Sequence, residues 1–119
     1  MYKIYIGGAI TDNPNYVKEF LQAEECLEKK GFEVLSPIRT KAAENGLPSK
    51  FCFFDCLDLL KQADMVCFIN DISKSKGAKI ERDIAMYCNI PIVNYELLGT
   101  GFENVRIHKG TEEENGDRN

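Results

Sequence analysis

The chain alternates short apolar runs of β-forming residues with longer stretches whose apolar positions recur every three or four residues. Residues 2–6 (Tyr-Lys-Ile-Tyr-Ile) predict a first strand, ended by Gly7-Gly8-Ala9 with almost no side chain. Asn13-Pro14 reads as a helix start, and Tyr16, Phe20, Ala23 and Leu27 form one stripe of a helix that Gly31 stops. Residues 32–36 predict a second strand, closed by Pro37. Residues 38–50, polar and carrying Gly46 and Pro48, read as a long loop. Ser49 is placed to cap a helix over about residues 50–62, with Phe53, Leu57 and Leu60 as its apolar positions. Residues 65–69 form a nearly all-apolar third strand, expected to be central. A helix over about residues 77–88 follows, with Ile80, Ile84 and Tyr87 expected to face the sheet, and residues 90–95 make a fourth strand. Gly99-Thr100-Gly101 marks a turn, and 102–108 reads as a fifth, edge strand. Residues 109–119 are charged and featureless, a flexible tail beyond a single domain at 1–108.

Four strands alternating with three helices predict an α/β fold. The expected form is a small doubly wound, flavodoxin-like or Rossmann-like parallel sheet of four to five strands, with helices on both faces. In such sheets ligands bind at the carboxyl ends of the strands, where strand order reverses. That rule sorts the polar residues. Asp64 precedes a strand and is read as structural. Tyr5 to Asp12, residues 36–41, Asn70 to Glu81, and Asp55 and Asp58 on the second helix belong to the ligand end.

Composition narrows the function class. With a net charge of −4 and no basic cluster, the chain does not suit a nucleic-acid backbone. No apolar run approaches the roughly 20 residues a membrane span needs. Cys26, Cys52, Cys56, Cys67 and Cys88 form no C-x-x-C pair, and His108 stands alone, so no metal set is expected. Reduced thiols packed as small hydrophobes suit a cytoplasmic protein.

Candidate chemistry concentrates at the top edge. Glu81 falls in the first turns of its helix, where the positive helix end is expected to favour its anion; an anionic carboxylate there can be a nucleophile. Ser75-Lys76-Gly77-Ala78 approaches a helix N-terminus and can hold a phosphate through backbone N–H groups and a hydroxyl, although Ser75 as a plain helix cap reads equally well. It is not a Walker loop, and Gly7-Gly8 lacks the third glycine of a dinucleotide fingerprint. Arg39 and Lys41 read as loop charges that could reach a phosphate.

Residues 5–10 (Tyr-Ile-Gly-Gly-Ala-Ile), Ala23-Glu24, residues 34–37 (Val-Leu-Ser-Pro), Ala63-Asp64 and Ser75-x-Gly-Ala-x-x-Glu81 occur in an order that resembles the nucleoside 2-deoxyribosyltransferase-like superfamily. The match is to its short DUF4406-type branch, over about residues 2–95. The resemblance implies N-glycosidic chemistry without a cofactor. A glutamate matching Glu81 attacks the anomeric carbon of a nucleoside or nucleotide, and water or a second base resolves the glycosyl-enzyme. Tyr5 matches the tyrosine that orients the glutamate, and Ser75 a phosphate-contacting serine, which favours a 5′-monophosphate ligand.

Relatives carry a sugar- or base-binding aspartate in the second helix. Cys56 stands at that position here, flanked by Asp55 and near Asp58, so either acid could take the role; Asp55 is a candidate acid. Asn70-Asp71 replaces the usual Gly-Trp. The expected site is therefore Glu81, Tyr5 and Asp55 for catalysis, with Gly7, Gly8, Ala9, Asp58, Asn70, Asp71, Ser75 and Gly77 binding substrate. Relatives also assemble as dimers or larger, so a homodimer or higher oligomer is expected. The rival expectation is a non-catalytic module that senses or sequesters a nucleotide in the same cleft.

Overall fold

The computed structural model describes residues 1–95. The expected edge strand at 102–108 and the tail at 109–119 lie outside them. The elements are β1 (Lys3–Gly7), α1 (Tyr16–Lys29), β2 (Glu33–Leu35), a single 3₁₀ turn (Pro37–Arg39), α2 (Lys41–Glu44), α3 (Ser49–Gln62), β3 (Met65–Phe68), α4 (Lys76–Tyr87) and β4 (Ile92–Asn94). The sheet has four strands in the order β2-β1-β3-β4, and every pair is parallel. The chain therefore moves outward from β1 in one direction to β2, then returns to its other side for β3. The β1/β3 boundary is the point of reversal, and the crevice above it is where such a sheet receives a ligand.

Strand alternation divides the core in two. Ile4 and Ile6 of β1, with Met65 and Cys67 of β3, pack against Phe20, Ala23 and Leu27 of α1. Tyr5 and Val66 point to the opposite face, against Cys56 and Leu60 of α3 and Ala85 of α4. Helices thus cover both faces, as the strand–helix alternation requires. Asp64 has the structural role its position predicts: its Oδ2 accepts a hydrogen bond from the Lys3 N–H at 2.8 Å.

Four local expectations are corrected. Helix α1 begins at Tyr16 with Asn15 as its cap. Asn13 instead closes a turn with Ile10, accepting from the Asn15 N–H through Oδ1 at 3.1 Å, while Asp12 takes a left-handed φ of 61°. Residues 38–50 are not one loop. Thr40 Oγ1 caps α2 by accepting from the Ala43 N–H, and the segment is tied to its neighbours by long-range bonds. Arg39 donates to the buried Glu24 carboxylate at 2.7 and 3.1 Å, and the Ala42 N–H donates to Asp55 Oδ2 at 3.0 Å.

Ser49 is the first residue of α3 rather than its cap; Pro48 holds the cap position and supplies no side-chain bond. Helix α4 is rotated from its apolar stripe. Ala78, Glu81 and Ala85 face inward, whereas Ile80 is 47% and Tyr87 89% exposed. Small side chains at 78 and 85 let the helix lie close to the sheet, and the carboxylate between them finds a buried partner there. Of the predicted stripe only Ile84 packs on the core.

Candidate active site

Glu81 reaches the sheet from the second turn of α4, and Tyr5 reaches up from β1. The Tyr5 hydroxyl donates to Glu81 Oε2 at 2.9 Å in a buried contact between residues far apart in the chain. Tyr5 is fully buried and Glu81 is 6% exposed. Burial pushes the Glu81 carboxyl up from 4.5 to about 7, with the Tyr5 hydrogen bond pulling the other way. The sequence expectation that the helix end favours the anion is thereby corrected. The effect of a helix terminus fades within its first turn, and loss of water outweighs what remains at the second. Burial and the neighbouring Glu81 charge both raise the Tyr5 phenol well above 10, so it stays a donor.

The second oxygen of the carboxylate, Oε1, has no hydrogen-bond donor among the described residues and lies beside the glycine corner. A Cβ built on Gly7 would stand 3.3 Å from it and 2.8 Å from the Phe68 ring, so no larger residue fits there without displacement. Gly8 is equally constrained, since its Cβ would meet Asn70 Oδ1 at 2.8 Å. Asn70 grips the next peptide. Its Oδ1 accepts from the Ala9 N–H at 2.7 Å, and its Nδ2 donates to the Ala9 carbonyl at 3.3 Å and to Glu19 Oε1 at 2.9 Å. Asn13 Nδ2 donates to the same carbonyl and the same carboxylate. These bonds hold the Glu19 carboxyl below the usual carboxylate range. The β1 corner is thus fixed from both β3 and α1.

A cleft of about 630 Å³ opens above this corner. Gly8, Ser75, Gly77 and Glu81 line it, together with Ile10, Pro37, Phe53, Cys56, Ala78 and Ile80 as apolar walls. Lys50, Lys74 and Lys76 stand on its rim, and Asp12 is the other acid lining it. Ser75 Oγ accepts from the Ala78 N–H at 3.2 Å, capping α4 while bordering the cleft.

The remaining expected site residues lie elsewhere. Asp55 spends its Oδ2 on the Ala42 N–H, Asp58 is exposed on α3, and neither lines the cleft. Asn70 and Ala9 border a neighbouring cavity of about 490 Å³, behind the loop at 9–13, together with Asp71. Asp71 Oδ1 accepts from the Ser73 N–H at 2.9 Å, which lowers its pKa.

The residue of α3 that does face Glu81 is Cys56, 7% exposed, with its thiol pushed up to about 12 by burial. Phe53, Cys56 and Leu60 share a helical face, a spacing visible in the sequence. The lysines flanking Ser75 were equally visible. Asp12 closes the 5–12 stretch assigned to the ligand end but had nothing to single it out within that stretch; a turn brings it over the cleft. No group of three or more His, Cys, Asp or Glu among the described residues could hold a metal ion.

A family model described as "Domain of unknown function (DUF4406)" matches residues 2–94. The chain belongs to the DUF4406 family. Among solved structures, this DUF4406 chain is similar to the 2-deoxyribosyltransferase of the psychrotolerant bacterium Bacillus psychrosaccharolyticus. Identity is 26% over 77% of this chain and 70% of that one, with a TM-score of 0.59. That enzyme is described as a biocatalyst for the synthesis of antiviral and antitumoral nucleosides. A comparison with curated protein sequences finds no match. Family and structural neighbour together place the DUF4406 chain in the nucleoside 2-deoxyribosyltransferase-like superfamily. Among its described residues no helix is long and apolar enough to cross a membrane.

Proposed function

We propose that this protein cleaves or transfers the N-glycosidic bond of a (deoxy)nucleoside or its 5′-monophosphate, with Glu81 as nucleophile. The observation that carries the reading is the buried Tyr5–Glu81 hydrogen bond at the floor of a cleft bordered by Gly8 and the start of α4. Ionised Glu81 attacks C1′ through the oxygen that Tyr5 leaves free. The C1′–N bond breaks, the base departs with its electron pair and takes up a proton, and a glycosyl ester remains. Water or a nitrogen of a second base then attacks C1′ and releases the carboxylate. Tyr5 holds the carboxylate plane and limits the charge that burial disfavours. Asp12 is placed to meet polar atoms of sugar or base.

Phe53, Ile80 and Pro37 offer a surface for a flat ring, and Lys50, Lys74, Lys76 and Ser75 suit a phosphate. These cations lie on one cleft of a chain whose net charge is −4, which favours a nucleotide over a free nucleoside. Incubation with nucleosides and 5′-monophosphates, followed by chromatography for free base, tests the reading. The expected result is base release by the native protein and none by Glu81→Ala.

The rival, a module that binds a nucleotide intact, draws support from Cys56, a neutral thiol where relatives are expected to carry an acid. It predicts ligand-dependent gain in Tm with no released base. We also propose self-association, supported by Phe54 and Tyr87, which are 63% and 89% exposed. Sedimentation that returns the monomer mass of 13.5 kDa would remove that part.

A further inference from the structure

Ile10, Thr11 and Asp12 form one wall of the cleft, and this wall is held at both feet by side chains that do not line the cleft. Where β1 and β3 part, the Ile69 N–H still donates to the Gly7 carbonyl at 3.0 Å. One residue further on, the Asn70 side chain takes over. It accepts from the Ala9 N–H at 2.7 Å and donates to the Ala9 carbonyl at 3.3 Å. From the other foot, Asn13 Nδ2 donates back to the Ala9 carbonyl at 2.9 Å. Both amides then converge on Glu19 Oε1 of α1, Asn70 at 2.9 Å and Asn13 at 3.0 Å.

These groups close a ring, and its polarity leaves Asn70 one orientation. Reversing that amide would set its oxygen against two oxygens and its NH₂ against an N–H. Glu19, which the two amides hold ionised, can only accept. The ring thus ties the loop at 9–13 to β3 on one side and to α1 on the other.

We propose that Asn70, Asn13 and Glu19 are positioning residues that present the 10–12 wall to the ligand already in its binding pose. The wall needs such support, because Asp12 takes a left-handed φ of 61°, a conformation few side chains other than glycine's adopt. Ordering it in advance removes a cost that the ligand would otherwise meet on binding. Relatives have glycine where Asn70 stands, so the ring is this chain's own means of holding the wall and not a requirement of the chemistry. It also works from the α1 face of the sheet, whereas Tyr5 meets Glu81 on the opposite face. The ring therefore governs how tightly a ligand is held, and not the reacting pair.

The inference deepens the proposed reading, on which its link to nucleotides rests. The full chain is titrated calorimetrically with the common nucleoside 5′-monophosphates, and exchange of the Ala9 amide hydrogen is followed by NMR without ligand. Asn70→Ala is expected to speed that exchange at least about tenfold. It should raise the dissociation constant about tenfold, while kcat for base release falls no more than about threefold. Glu19→Ala, which alters no residue lining the cleft, is expected to raise the dissociation constant about threefold. Glu19→Gln keeps an oxygen to accept from both amides and should restore native affinity. A merely structural role would lower Tm in these variants without changing affinity measured well below it.

A folded Asn70→Ala protein that binds with native affinity overturns the proposal, whatever its exchange rate or kcat. Should that variant not fold, native affinity in Glu19→Ala overturns it instead. If the native protein binds none of the monophosphates, the nucleotide reading fails, and Ala9 exchange alone decides the ring: faster in the variants supports it, unchanged overturns it.

Discussion

Replacing Glu81 by Gln should make this protein more stable at alkaline pH, by an amount the structure allows to be worked out. The folded carboxyl titrates near 7 against 4.5 when free. Folding therefore raises its proton affinity by between two and three powers of ten, at about 1.4 kcal/mol each. The sign follows from the raised folded value. Below about pH 4.5 both states carry the proton and the buried neutral acid costs nothing extra. As pH rises toward and through 7, the unfolded chain ionises freely while the folded one resists, and about 3 kcal/mol of stability is lost. Gln keeps the shape and an oxygen to accept from Tyr5, but does not titrate.

The difference in unfolding free energy, Glu81→Gln minus native, should thus grow by about 3 kcal/mol between pH 4.5 and pH 8.5. For a chain of this size that is on the order of 10 °C in Tm. Urea unfolding of both proteins across that range measures it. Parallel pH profiles would refute the reasoning, because they would mean Glu81 is solvated in the folded state. A residue whose removal stabilises the fold is what a desolvated functional carboxylate implies.

Tyr5→Phe should cost about 2 kcal/mol at pH 8.5, where Glu81 is ionised and loses its donor, and less at pH 5; unfolding at the two pH values checks this. The same change should move the rising limb of activity against pH upward from its expected midpoint of about 7, since the lost bond lowers the Glu81 pKa. Gly7→Ala forces a methyl against the Phe68 ring and toward Glu81 Oε1, so a loss of about 1–3 kcal/mol and a fall in base release are expected together. Asp55→Asn should loosen the 36–48 segment and lower stability by about 1 kcal/mol while retaining turnover. Glu81→Gln, by contrast, should lose at least about a thousandfold. Steady-state rates of the two variants, side by side, decide which acid does chemistry.

The sheet and the place of Glu81 were legible because they depend on local signals. Alternation at 2–6, an all-apolar run at 65–69 and glycines at 7 and 8 fix β1, β3 and the corner between them. Apart from the caps of α1 and α3, which miss by one or two residues, what failed depended on contacts between distant residues. The rotation of α4 is set by Tyr5, a residue 76 positions away, and not by the apolar spacing of Ile80, Ile84 and Tyr87. The order within 38–50 comes from Glu24 and Asp55, whose partners no local pattern reveals. For the same reason Asp55 and Asp58 looked like ligand-end acids by sequence position. Only the phase of α3 shows that Cys56 takes the inward place. Ser75 was legible in part: it caps α4 as its position predicts, and the cleft beside it emerges only when α3 and the 9–13 loop are packed around it.

The central claim is tested most directly by trapping the intermediate. The native protein is incubated with a 2-fluoro nucleotide analogue, digested, and its peptides mapped by mass spectrometry. A glycosyl adduct on Glu81, absent from Glu81→Gln, is the predicted result. An adduct on another residue, or base release that persists in Glu81→Gln, would contradict it.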